Sequence, residues 1–232
     1  MTALRLDRLL SNLGYGSRAD VKIMIHRGRV GIDGTVERRE ATKVEAERVS
    51  VDHEPLDHPG RLLIAMNKPV DYSCSHDERE EPLIFGLLPT RWQYRNPVVE
   101  SVGRLDRDTS GLILLTDDHQ LLHRLSSPKH HVEKQYIAEL SNDATPELVE
   151  TFGSGKLMLE RETTPCLPAV AEILSERTVS VTLTEGRYHQ VRRMFAAVGS
   201  HVDELARVRI GEIELDGLAP AEFRLIDADL LA

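Results

Sequence analysis

The sequence predicts an α+β fold carried by two domains, and three features lead there. Short strand-like and helix-like runs interleave along residues 62–232 without the regular βαβ alternation of a parallel sheet. A polar stretch, His53-Glu54-Pro55-Leu56-Asp57-His58-Pro59-Gly60, interrupts the chain before the apolar segment Leu62-Leu63-Ile64-Ala65-Met66. The run Leu112-Ile113-Leu114-Leu115, closed by Thr116, has the length and aliphatic content of an interior strand. A small α/β domain is therefore expected at residues 1–55, a linker at 56–61 and a larger domain at 62–232.

In the small domain, Leu6, Leu9, Leu10 and Leu13 recur at helical spacing, and Gly14-Tyr15-Gly16 ends that helix. Ser17 with Asp20 three residues on is a capping-box signature for a second helix. That helix turns Val21 and Ile25 inward and stops at Gly28. Val30-Gly31-Ile32 and Thr35-Val36 then flank Asp33-Gly34, a pair that tolerates the positive φ angles of a hairpin turn.

In the larger domain, Thr109-Ser110-Gly111 suits a tight turn before the aliphatic strand. Asp117-Asp118 is placed to cap a helix from His119 to Leu125, with Leu121, Leu122 and Leu125 inward and Ser126-Ser127-Pro128 at its end. Glu133 to Ala138 alternates as a strand does. Val191, Met194, Phe195 and Val198 form one helical stripe that Gly199 can end, so Arg192 and Arg193 are expected to project from the first turns.

Composition narrows the function classes. The chain of 232 residues is 41% hydrophobic and 29% charged, enough to bury a core. No apolar run approaches the roughly 20 residues of a membrane span, and the start lacks a secretory h-region, so the cytoplasm is the expected location. Cys74 and Cys166 lie far apart and are expected to be reduced and inert. The net charge of −9 disfavours a nucleic-acid partner until its distribution is considered. Residues 1–44 carry nine Lys or Arg against five acids, whereas residues 210–232 carry six acids against one Arg. The basic amino-terminal region suits local binding of RNA.

The segment Gly103-Arg104-Leu105-Asp106-Arg107-Asp108-Thr109-Ser110-Gly111 sets two carboxylates and two guanidiniums beside the aliphatic strand. Charges there must be paired or functional; the bland alternative is a solvated surface cluster. Physics alone does not choose between Asp106 and Asp108. This nonapeptide resembles the catalytic motif of the pseudouridine synthases, in the RsuA-like branch that acts on bacterial ribosomal RNA. Three more segments match in order: Met66-Asn67-Lys68-Pro69, Glu133-Lys134-Gln135-Tyr136-Ile137-Ala138, and Glu185-Gly186-Arg187-Tyr188-His189-Gln190-Val191-Arg192-Arg193-Met194-Phe195. The family usually has glycine where this chain has Asp71, which puts the path of the loop after Pro69 in question. Residues 3–55 resemble the S4 RNA-binding domain, through Arg5-Leu6-Asp7, Ser17-Arg18 and Gly28-Arg29-Val30 ahead of Asp33-Gly34.

The resemblance implies a catalytic domain on a mixed, mostly antiparallel sheet. It implies an isomerase that converts uridine to pseudouridine in rRNA without cofactor or metal. Asp106 would be the catalytic carboxylate, Tyr136 the platform beneath the target base, and Arg192 the cation that pairs with Asp106, where lysine often serves. Arg104 would fill the space the base vacates, with Arg187, His189 and Arg193 near the phosphates and Lys68 in a further RNA contact. Arg5, Arg18, Lys22, Arg27 and Arg29 would form the RNA face of the S4-like domain. The target must leave its stack to react, which costs a few kcal/mol.

Segments around Ser127-Pro128-Lys129-His130-His131 and Glu185 to Val191 look most like the 16S rRNA enzymes, so the expected partner is 16S rRNA or a small-subunit assembly intermediate bound by a monomer away from membranes. Relatives acting on 23S rRNA share the architecture and remain an alternative. A metal site at His123, His130 and His131 lacks any His-Glu-x-x-His pattern. A noncatalytic rRNA-binding assembly factor is the rival from another class. It would have no use for an aspartate among arginines that face phosphate.

Overall fold

The computed structural model describes residues 3–126 and 131–227. Its elements run β1 (Leu4–Arg5), α1 (Leu6–Asn12), α2 (Arg18–His26), β2 (Val30–Ile32), β3 (Thr35–Val36), β4 (Lys43–Val44), β5 (Val49–Val51) and β6 (Glu54–Pro55). There follow β7 (Leu63–Lys68), α3 (Thr90–Gln93), β8 (Glu100–Ser101), β9 (Thr109–Thr116), α4 (His119–Ser126), β10 (Lys134–Leu140) and α5 (Pro146–Gly153). The last are β11 (Val170–Ile173), β12 (Thr178–Leu183), α6 (Gln190–Ala197), β13 (Val202–Ile210), β14 (Ile213–Glu214) and β15 (Phe223–Leu225). Two compact units result, and they do not follow chain order. Unit 1 takes Met1–Leu62 with Phe85–Glu100 and Thr116–His119; unit 2 takes Leu63–Ile84, Ser101–Leu115 and Gln120–Ala232.

In unit 1 the leucine periodicity closes α1 onto α2: Leu6, Leu9, Leu10, Leu13, Val21 and Ile25 are all buried. Each leucine or isoleucine so buried contributes about 2 kcal/mol. Ser17 and Asp20 form both halves of the capping box. Asp33 and Gly34 take φ of 49° and 77°, so the β2–β3 hairpin turns as its Asp-Gly pair requires. Residues 56–61, predicted as a linker, are tied down. Tyr15 Oη accepts the Asp57 amide at 3.0 Å, and Arg95 donates to His58 O at 3.0 Å and to Gly60 O at 2.5 Å. Arg95 also meets Asp117 in a buried pair at 2.9 Å. The other oxygen of Asp117 accepts the Leu62 amide at 2.8 Å, so its carboxylate is spent on this pair rather than on capping α4.

Unit 2 is built on a sheet in the order β11-β12-β10-β13-β9-β7-β15. The β9–β13 pairing is parallel, and those of β10, β11 and β12 and of β7 with β15 are antiparallel. This is the mixed sheet of the α+β expectation. Leu112–Leu115 are wholly buried. Thr109-Ser110-Gly111 is not the tight turn the sequence suggested; it begins β9 and pairs with Leu205–Arg207. The parallel partner, remote in sequence, extends it. Gly111 is required there, because a Cβ would stand 2.2 Å from Arg207 O. Helix α6 buries Val191, Met194 and Phe195 in a core with Ala138, Val181 and Leu205. Ser127 to His130 lie outside the described residues, and so do the end predicted for α4 and part of the proposed metal trio.

Candidate active site

The loop from Gly103 to Asp108 leads into β9, and the end of β7 holds it in place. Lys68 is fully buried, and its Nζ donates to Pro69 O at 2.9 Å, Arg107 O at 3.3 Å and Thr109 O at 2.9 Å. Burial pulls the Lys68 ammonium below its usual pKa, although Asp106 and Asp108 act to hold it charged. Lys68 therefore cannot reach RNA, and its predicted contact is corrected. Three carbonyls that face inward make an ammonium the natural clamp. Asp71 takes φ 68°, the left-handed region, and its amide donates to Arg107 O at 2.8 Å. Aspartate is among the non-glycine residues that tolerate this conformation, so the loop keeps a glycine-like path.

Asp106 and Tyr136 line one cavity of about 1030 Å³ in unit 2, together with Arg104, Arg187, Tyr188 and His189. A smaller recess of about 80 Å³ adds Arg192 to Asp106 and Tyr136. The predicted trio is thus gathered, with one change of partner. Arg192 pairs with Asp108 at 3.1 Å and donates to Asp108 O at 3.1 Å and Val202 O at 2.8 Å. The expected Arg192–Asp106 pair is not formed. Arg192 leaves α6 toward the start of β9 and meets the second carboxylate of the motif first. Asp106 instead faces His189, whose Nε2 lies 3.1 Å from its Oδ1. His189 precedes α6 in a left-handed conformation, φ 47° and ψ 36°, a placement that costs strain and is common at functional sites. Its ring stacks on Tyr188 at 3.8 Å between centroids, and Tyr188 is 77% exposed.

Two predicted phosphate contacts are occupied internally. Arg193 pairs with Glu162 at 3.0 Å and donates to Glu160 O at 2.6 Å; Arg187 pairs with Glu185 at 3.1 Å and donates to Thr164 O at 2.8 Å and Pro165 O at 2.6 Å. These arginines fasten residues 160–166 beside α6, and Arg193 does not project freely as the helical spacing suggested. In unit 1, Arg18 and Arg27 are exposed, Arg5 pairs with Asp7 at 3.0 Å, Arg29 forks onto Asp52, and Lys22 stands 3.8 Å from Glu40. Sequence reasoning missed Arg207, which is 2% exposed on β13 and lines the larger cavity. The alternation that puts it on the face of Leu205 was the available signal.

A family model for RNA pseudouridylate synthase matches residues 62–197, more than half of the chain and including the Asp106 loop, Tyr136 and α6. The chain belongs to the RNA pseudouridylate synthase family. The synthase is 41% identical over 99% of both chains to ribosomal small subunit pseudouridine synthase A of Escherichia coli K12. It is 42% identical to the protein of that name from Vibrio parahaemolyticus, over 96% of each chain. A crystal structure of a pseudouridylate synthase superposes with a TM-score of 0.67 at 33% identity, covering 98% of each chain. The synthase is accordingly an isomerase of RNA uridine.

Proposed function

We propose that this synthase isomerises a uridine of 16S rRNA to pseudouridine, as a cofactor-free monomer in the cytoplasm. Identity of 41% along 99% of both chains with a small-subunit enzyme carries this reading. The N1–C1′ bond of the flipped-out uridine breaks, the uracil turns while bound, and C5 joins C1′. Asp106 serves as the carboxylate that attacks C1′ or removes the C2′ proton. Its side chain is 31% exposed at the cavity wall, accessible to a sugar. Tyr136, partly buried on β10, offers its ring as the platform for the base. Arg104, exposed at the same wall, fills the place the base leaves. Arg192 fixes the Asp108 end of the loop rather than the reacting carboxylate.

Residues 3–55 act as an S4-like RNA-binding domain that selects the RNA context through Arg18 and Arg27, with Lys22, Arg5 and Arg29 alongside. Surface ion pairs such as Arg29–Asp52 are worth little, so phosphates can exchange for them. The deciding experiment is tritium release from C5-labelled uridine in unmodified 16S and 23S rRNA, for the synthase and its Asp106→Asn variant. Release from 16S alone, lost in the variant, is expected. Release from 23S alone would overturn the target, and release by Asp106→Asn would overturn the site.

A further inference from the structure

Arg207 is a buried cation that the roles above leave unused. Its Nε donates to Leu112 O at 2.8 Å, which fixes the side chain, while Nη2 is buried with no acceptor among the described residues. The strand register explains its location. Gln135 faces Arg209 but Tyr136 faces Arg207, so Val208 bulges out of the ladder and brings the guanidinium to Tyr136. Its Cζ stands 6.0 Å from the Tyr136 ring centroid, and both residues line the cavity that holds Asp106. A second cation, Lys134, lines that cavity too, with its pKa lowered by burial and by Arg207 itself. A buried guanidinium with an open donor and a like charge nearby is costly unless an acceptor joins it.

We propose that Arg207 is the residue that holds the detached base, donating from its guanidinium to a carbonyl oxygen of the uracil while its charge stabilises the uracil anion. This rests on the reading of Asp106 and Tyr136 as the reacting carboxylate and the platform. When N1–C1′ breaks, both electrons leave with N1, and the negative charge spreads to O2 and O4. A carboxylate oxygen of Asp106 either bonds to C1′ or takes the C2′ proton. On return, C5 supplies the electron pair for the new C1′ bond, Asp106 is released or restores the C2′ proton, the C5 proton leaves to water and N1 gains one. Exchanging N1 for C5 is a half-turn about the line through C6 and N3, and that half-turn also exchanges O2 for O4. One fixed donor therefore meets a carbonyl oxygen both before and after rotation, so the base is held at both ends of the turn.

The test is a cycle in which atoms are changed on both sides. C5-tritiated 16S rRNA fragments made with uridine, 2-thiouridine or 4-thiouridine are presented to wild type, Arg207→Gln and Arg207→Lys, and single-turnover tritium release is measured. Loss of one charged hydrogen bond slows Arg207→Gln on the oxygen substrate by about 10- to 100-fold. Sulfur, a weaker acceptor, should slow wild type by about 10-fold and Arg207→Gln by no more than about twofold further. Arg207→Lys keeps charge and bulk, and covers the case in which Arg207→Gln fails to fold; it should show the same lost coupling. A thio effect equal in wild type and both variants, at O2 and O4 alike, overturns the proposal. Wild-type turnover on the uridine transcript and its loss in Asp106→Asn test the underlying site separately.

Discussion

The Nε2 atom of His189 stands 3.1 Å from Oδ1 of Asp106. This contact joins two motifs some eighty residues apart in sequence, and His189 makes it from a left-handed backbone. His189→Ala should lower single-turnover tritium release by about fivefold, the effect of one partly exposed charged hydrogen bond. Asp106→Asn should abolish it. Equal loss in the two variants would give His189 a larger part than positioning.

Arg192 ties Asp108 and Val202 through one guanidinium. Asp108 is well exposed, so the ion pair itself counts for little and the bonds to backbone carbonyls count for more. Arg192→Lys, which lacks the planar fork, should lose about 10-fold in kcat/KM, whereas Asp108→Asn should lose less than about threefold. The kinetics of the two variants and of their double mutant measure this coupling.

Lys68→Met should remove the ammonium donor from Pro69 O and Thr109 O, while Arg107 O keeps the Asp71 amide, and should cost about 3 kcal/mol in urea unfolding. It should leave the salt dependence of rRNA binding unchanged. Arg18→Ala and Arg27→Ala should each reduce the slope of log K against log salt by about 0.7 to 0.9 if they meet phosphates. Filter-binding titrations across salt concentrations separate the two kinds of lysine and arginine.

Gly111→Ala drives a methyl to within 2.2 Å of Arg207 O across the β9–β13 pairing. A stability loss of about 3 kcal/mol or more is expected from the combined clash and left-handed φ. Urea unfolding measures it, and an Ala variant as stable as wild type would contradict the parallel register.

Asp7 is buried under Arg5, whose hydrogen bonds hold its carboxyl below the ordinary 3.8. A carboxyl with a depressed folded pKa stabilises the fold above its unfolded value and loses that contribution as pH falls through the folded one. Asp7→Asn should therefore cost about 1 kcal/mol at pH 7, and the difference from wild type should shrink below pH 3.8. Paired chemical unfolding at pH 7 and pH 3 checks the sign.

Local chemistry made much of this protein legible in the sequence. The leucine spacing of α1, the Ser17–Asp20 capping box, the Asp33-Gly34 turn, the buried run of β9 and the apolar stripe of α6 all rest on contacts within a few residues, so periodicity and turn preference suffice. The motifs also brought Asp106, Tyr136 and Arg192 to one wall. What tertiary structure alone decided is which charge meets which. Arg192 turned to Asp108 and His189 to Asp106, Lys68 went inward, and Arg187 and Arg193 were taken by Glu185 and Glu162. Arg207 reached Tyr136 through a bulge in a strand seventy residues away. Charge pairing depends on distances of a few ångströms between segments remote in sequence, and helical or strand spacing carries no information about those.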